Sequence, residues 1–141
     1  MNATAPMDLR NLLMGSVLTQ AVQTAAELGV ADALAHGEKD SVALAAELNL
    51  APAALQRLLR ALVSHGVFAE NSAGRFANSA LSEHLRSDHP QSLRGLALAY
   101  GDSAIWRAWE GLSAALRDGG SAFEHVHKAP LFEHLKQHPT T

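Results

Sequence analysis

The sequence has no cysteine, so neither a disulfide framework nor a thiolate zinc site can form. Aromatic residues make up only 5% of it, and the apolar bulk is Ala and Leu rather than the β-branched types that favour strands. Lysine and arginine are nowhere clustered. Eleven cations against fourteen anions leave a net charge of −3, without the basic face by which nucleic-acid binders advertise themselves. No apolar run approaches the ~18 residues of a membrane helix. The opening "MNATAPMDLRN" lacks the basic start and apolar stretch of a signal peptide, so a cytoplasmic protein with no membrane partner is expected. There is no G-x-G loop, no G-x-S-x-G elbow and no H-E-x-x-H pair. Nothing present carries a reaction alone, so no catalytic residue, metal ligand or cofactor-binding residue is assigned.

What is present suits one mostly α domain: 141 residues, 48% of them hydrophobic. The first helix is expected from about Asp8 to Leu28, with Gly29 as its stop. Its apolar positions, from Leu9 through Met14 and Leu18 to Ala26 and Leu28, cover well over half the circumference, whereas a surface helix shows one stripe. Gly15, Ser16 and Ala21 let another backbone approach. Either this helix lies in the middle of the domain, or a second chain covers it. The second reading predicts a homodimer with Leu9, Leu12, Leu13, Val17, Ala21, Val22 and Ala25 at the interface.

Further on, "GVADALAHG" gives a short helix, Ser41 a cap for "VALAAELN", and Asn49 a left-handed stop. Pro52 opens a helix whose buried face is Leu55, Leu58, Leu59 and Leu62; Gly66 and Val67 close it. "VFAE" and "RFAN" flank the turn-forming "NSAG" as a β-hairpin. Over about residues 30–80 this order is a winged helix-turn-helix with a small hairpin wing. More helices follow in "SALSEHLRS", "QSLRGLALAYG", "SAIWRAWEGLSAALRDGG" as a single helix, a capped turn from Ser121 to Glu124, and "PLFEHLKQH". The chain ends on the heels of that last helix, as a piece of something longer would.

A winged helix can read DNA through the exposed start of its second helix. Those positions are Ala53, Ala54, Gln56, Arg57 and Arg60, and the wing adds Arg75 beside Glu70. Two alanines and few cations make a thin contact set for binding that depends on neutralising phosphates. A transcription regulator therefore stays as the alternative reading, with nucleic acid not expected as a partner. His125 and His127 form an H-x-H pair, and His134 and His138 lie one helical turn apart. With no cysteine, no H-E-x-x-H motif and Glu124 and Glu133 as the nearest acids, these read as an exposed His-rich tail, not a metal site. Trp106 and Trp109 share a helix face, with Trp109 expected in the core. Tyr100 and Trp106 can wall a pocket for a flat organic ligand.

Taken in order, "AAELGVADALAHG", "LAAELNLAPAALQRLLRALVSHGVFAEN", "GRFANSALSEHLRSD" with "SLRGLA", and "WRAWEGLSAALRDGGSAFEHV" leading into "PLFEHLKQHP" span nearly the whole chain. The chain resembles the N-terminal dimerisation domain of S-adenosylmethionine-dependent small-molecule O-methyltransferases. The resemblance implies a winged helix turned to dimerisation, its helices intertwined with those of a second subunit. It also implies that residues 1–141 form this domain alone. S-adenosylmethionine and the catalytic base would belong to a Rossmann-like domain absent here, so that this chain by itself is inactive and binds no cofactor. The parent's acceptor would be a small aromatic or polyketide-like hydroxyl compound. Met14 and Val17, with Tyr100 and Trp106, are then the expected substrate-facing positions. Pairing in trans with a related methyltransferase is a further possibility. One departure is Lys128, where relatives often carry glycine.

Overall fold

The computed structural model describes residues 4–137. They form two compact units, one up to Leu98 and one from Ala99 onward.

In the first unit, α1 (Ala5–Glu27) carries Pro6 in its first turn, where the missing N–H is no loss. Gly29, at φ 70°, closes it in the left-handed region that only glycine enters freely. There follow α2 (Val30–Ala33), β1 (Lys39–Asp40), α3 (Ser41–Leu48) and α4 (Pro52–Val63). The expected cap of α3 moves by one residue. Asp40 accepts the Ala43 N–H at 2.8 Å, and Ser41 becomes the first helical residue. A carboxylate there both fills an orphan donor and meets the positive end of the helix dipole. Asn49 is left-handed, as expected. The N–H groups of Gly66 and Val67 return to the carbonyls of Val63 and Leu62 at 2.9 and 3.0 Å, a Schellman close.

The hairpin consists of β2 (Phe68–Glu70) and β3 (Arg75–Asn78). The Asn71 side chain holds its turn by accepting from the Ala73 and Arg75 N–H groups at 2.9 and 3.0 Å. The sequence reading did not foresee β1 pairing on the other edge of β3, which gives an antiparallel sheet in the order β1-β3-β2. Alternation turns Phe68 and Phe76 inward. They meet Val30, Leu34, Leu44, Leu55, Leu59 and Leu62 in one core, with Leu58 at its margin. Beyond the hairpin, a 3-10 turn (Ser82–Leu85) and the following chain tie back to α1 and α2. Asn78 donates to the Ala31 carbonyl at 2.9 Å, Arg94 Nε to that of Ala26 at 3.1 Å, and Ser87 to Asp32.

The helix α5 (Arg94–Gly101) starts in the first unit, where Ala97 and Leu98 touch the core, and the boundary between units falls within it. In the second unit the single helix expected over 103–118 is broken. It becomes α6 (Ser103–Ala108), a 3-10 turn (Trp109–Gly111) and α7 (Leu112–Asp118), followed by α8 (Ala122–His127) and α9 (Leu131–Gln137). The break coincides with a close approach. A Cβ on Gly111 would stand 2.4 Å from the Ala122 carbonyl oxygen, so α8 crosses where only glycine fits. Trp109, expected in the core, is 63% exposed, and Phe123 is the buried aromatic of this unit. Ser121 caps α8 at Glu124 as expected, and Lys128 ends that helix in the left-handed region at φ 58°.

Candidate functional site

The two halves of α1 meet different surroundings. From Leu18 onward the helix turns against the core, and Ala25 and Ala26 are buried in it. Before that point every described residue is exposed. Met7, Leu9, Leu12, Leu13, Met14 and Val17 all stand out of the first unit, with Leu12 at 78% and Leu13 at 70%. Helices of about 12–15 residues are marginal in water without an apolar face to bury. The N-terminal half of α1 presents that face and finds no cover among the described residues of its own unit. The alternative that α1 lies in the middle of the domain is set aside.

Of the seven expected interface positions, Leu9, Leu12, Leu13 and Val17 lie on the open stretch. Ala21 and Val22 are half-buried against the core, and Ala25, 1% exposed, is a correction: it has no surface left to offer a second chain. The sequence reading missed Met7, which is as exposed as its neighbours. It also missed a groove of about 350 Å³ lined by Asn11, Met14, Gly15, Leu18 and His65. The first four sit at i, i+3, i+4 and i+7, a single stripe of α1 that the spacing could have shown. His65, beyond the end of α4, could not have been placed from spacing.

The other expected positions are found as follows. Met14 lines that groove and Val17 is exposed near it on the helix; Tyr100 and Trp106, in the second unit, are exposed at 57% and 37%. At the start of α4, Ala53, Ala54 and Arg57 face solvent. Arg60, however, is bound to Glu70 through Nη2 at 2.9 Å and Nε at 3.2 Å, and Arg75 donates to the Glu38 carbonyl at 2.5 Å. The hydrogen bond it donates to Glu70 holds the Arg60 guanidinium still more firmly protonated than usual.

The H-x-H pair divides. His125 Nε2 lies 3.0 Å from Asp118, while His127 Nε2 bonds the Ala104 carbonyl at 2.8 Å and its ring packs on Phe123 and His134. The Gly120 N–H, and after it His125, hold the Asp118 carboxyl below the usual carboxylate range. His138, paired with His134 in the sequence reading, lies outside the described residues. Among the described residues no three His, Asp or Glu side chains gather as a metal site, and no helix is long and apolar enough to cross a membrane.

Comparison with known proteins bears on the exposed helix directly. The family model described as the O-methyltransferase dimerisation domain matches residues 10–88, which include most of α1's open stretch and the whole of α4 and the hairpin. The 3-amino-4-hydroxybenzoate 4-O-methyltransferase of Streptomyces cremeus is 39% identical over 137 residues, 96% of this chain and 37% of that protein. The crystal structure of LaPhzM superposes with a TM-score of 0.88 at 34% identity, over 96% of this chain and 40% of the other. CalO1, a methyltransferase in calicheamicin biosynthesis solved in its SAH-bound form, gives a TM-score of 0.82 at 30% identity, over 98% of this chain and 41% of the other. The chain thus spans about two fifths of the length of the proteins it matches. A mainly helical unit with a small antiparallel sheet, an apolar helix left open and a family match across both lead to one conclusion: the chain belongs to the O-methyltransferase dimerisation domain family.

Proposed function

We propose that this chain is the pairing domain of an S-adenosylmethionine-dependent small-molecule O-methyltransferase, and that two copies join through the open half of α1. The observation that carries the reading is the run of exposed apolar side chains from Met7 to Val17, most of it inside the matched segment. An apolar surface this continuous is the mark of a protein-binding face. In a two-fold pair each copy's helix crosses the other, so that both are covered at once and the helices intertwine. In this reading α3, α4 and the hairpin form a winged helix that serves as the rigid seat for α1.

The cofactor and the chemistry belong to the further polypeptide that the relatives possess, acting inside the cell on a small aromatic or polyketide-like hydroxyl compound. Met14 and Val17 on α1, and Tyr100 and Trp106 on the second unit, are the side chains proposed to face that acceptor. The regulator reading has less support, because Arg60 and Arg75 are engaged by Glu70 and Glu38 rather than offered to phosphates.

Light scattering of the 141-residue chain at micromolar concentration tests the proposal, with a dimer expected. The double substitution Leu12→Glu/Val17→Glu should raise the dissociation constant at least ~30-fold, the scale of losing a buried anchor. It should leave the helical circular dichroism signal in place. A monomeric parent chain, or a double variant that pairs as well as the parent, overturns the proposal.

A further inference from the structure

The groove beside α1 is unlike the rest of the open helix, because it carries a titratable ring. Its floor is the stripe Asn11, Met14, Gly15 and Leu18, and its wall is His65. Above Gly15 there is open space: a Cβ built there meets nothing within 4 Å. A second backbone can therefore come close at this point, and in an isologous pair the crossing helix would be the other copy's α1.

His65 is exposed in the single chain, and its Nδ1 lies 3.0 Å from the Ala61 carbonyl and 3.1 Å from Ser64 Oγ. The carbonyl can only accept, and the Ser64 hydroxyl already donates to the same carbonyl at 2.7 Å. Nδ1 therefore carries the proton, and the neutral ring keeps its lone pair on Nε2. His65 alone among the lining residues titrates. The charged groups of the elements around it are Asp8, Arg10 and Glu27 on α1, Arg57 and Arg60 on α4 and Glu70 on β2, and Arg60 and Glu70 already neutralise each other.

Resting on the pairing reading above, we propose that the second copy's α1 seats in this groove and that His65 makes the pairing weaken in acid. An apolar helix laid over the ring disfavours its charged form, so pairing lowers the ring's affinity for a proton. The contribution is complete while the free ring is neutral. It is lost when the ring takes up a proton in acid, because the charged ring would have to give up water under the covering helix. Each dimer contains two such rings, so the effect is felt twice.

Sedimentation velocity of the chain at about pH 7.5 and about pH 5.5 should show the dissociation constant rising at least ~10-fold in acid. His65→Gln should flatten that dependence, while His36→Gln, outside the groove, keeps it. Gly15→Leu, whose Cβ meets nothing within 4 Å and whose side chain occupies the groove, should weaken pairing at both values. If the dimer is equally tight at both, if His65→Gln keeps the slope, or if Gly15→Leu pairs normally, the inference falls while the pairing reading stands. A chain that is monomeric throughout removes both.

Discussion

Within a single helix, α1 holds two regions built from the same residue types and put to opposite uses. The segment from Leu18 to Glu27 packs Ala25 and Ala26 against the core and is tied by Arg94 to the Ala26 carbonyl. The segment from Ala5 to Val17 has larger apolar side chains, yet leaves them in solvent. Hydrophobicity therefore does not say where the core is. Small residues allow α1 to lie close on its own unit, whereas Leu12 and Leu13 stand clear of it in solvent.

The contrast can be broken by exchanging the demands on the two segments. The largest effect should come from Ala25→Asp, which puts an unpaired charge in the core. A loss of about 3–5 kcal/mol in denaturant unfolding is expected. Leu12→Glu, thirteen positions earlier in the same helix, should leave the unfolding of a monomeric chain within ~0.5 kcal/mol, as a surface change does. Equal destabilisation by the two would mean that the open segment packs on its own chain after all. Gly15→Ala sharpens the comparison on a smaller scale. In a monomer made by Leu12→Glu it should stabilise by about 0.5–1 kcal/mol, because the Cβ meets nothing and the helix interior gains a better former. Smallest of all, in the second unit, Lys128→Gly should raise stability by about 0.5 kcal/mol, by relieving a left-handed residue that carries a side chain. Thermal melts of that variant and the parent chain would show it.

These features were not equally legible in the sequence. Stops and turns with their own local chemistry were readable: Gly29, Asn49, the Gly66–Val67 close and the Asn71 turn each depend on residues within a few positions. Distance hid the rest. The strand β1 is two residues long and exists only because β3 lies beside it, so no alternation could announce it. The break at Trp109–Gly111 lies where the Ala122 carbonyl of another helix comes close to Gly111, a contact no local pattern announces. Likewise the breadth of α1's apolar surface was visible, but not the point at which it leaves the core. Ala25 was grouped with Leu12 for that reason. The groove was half legible: its α1 stripe follows from spacing, and His65 arrives only with the fold.

The Arg60–Glu70 pair has a consequence for what this scaffold could become. A guanidinium gripped at two points fastens α4 to β2, the outer strand of the hairpin. Any variant meant to grasp a polyanion with this surface would first have to undo that clasp, loosening the frame it hoped to use. Stiffness and outward chemistry draw here on the same side chain.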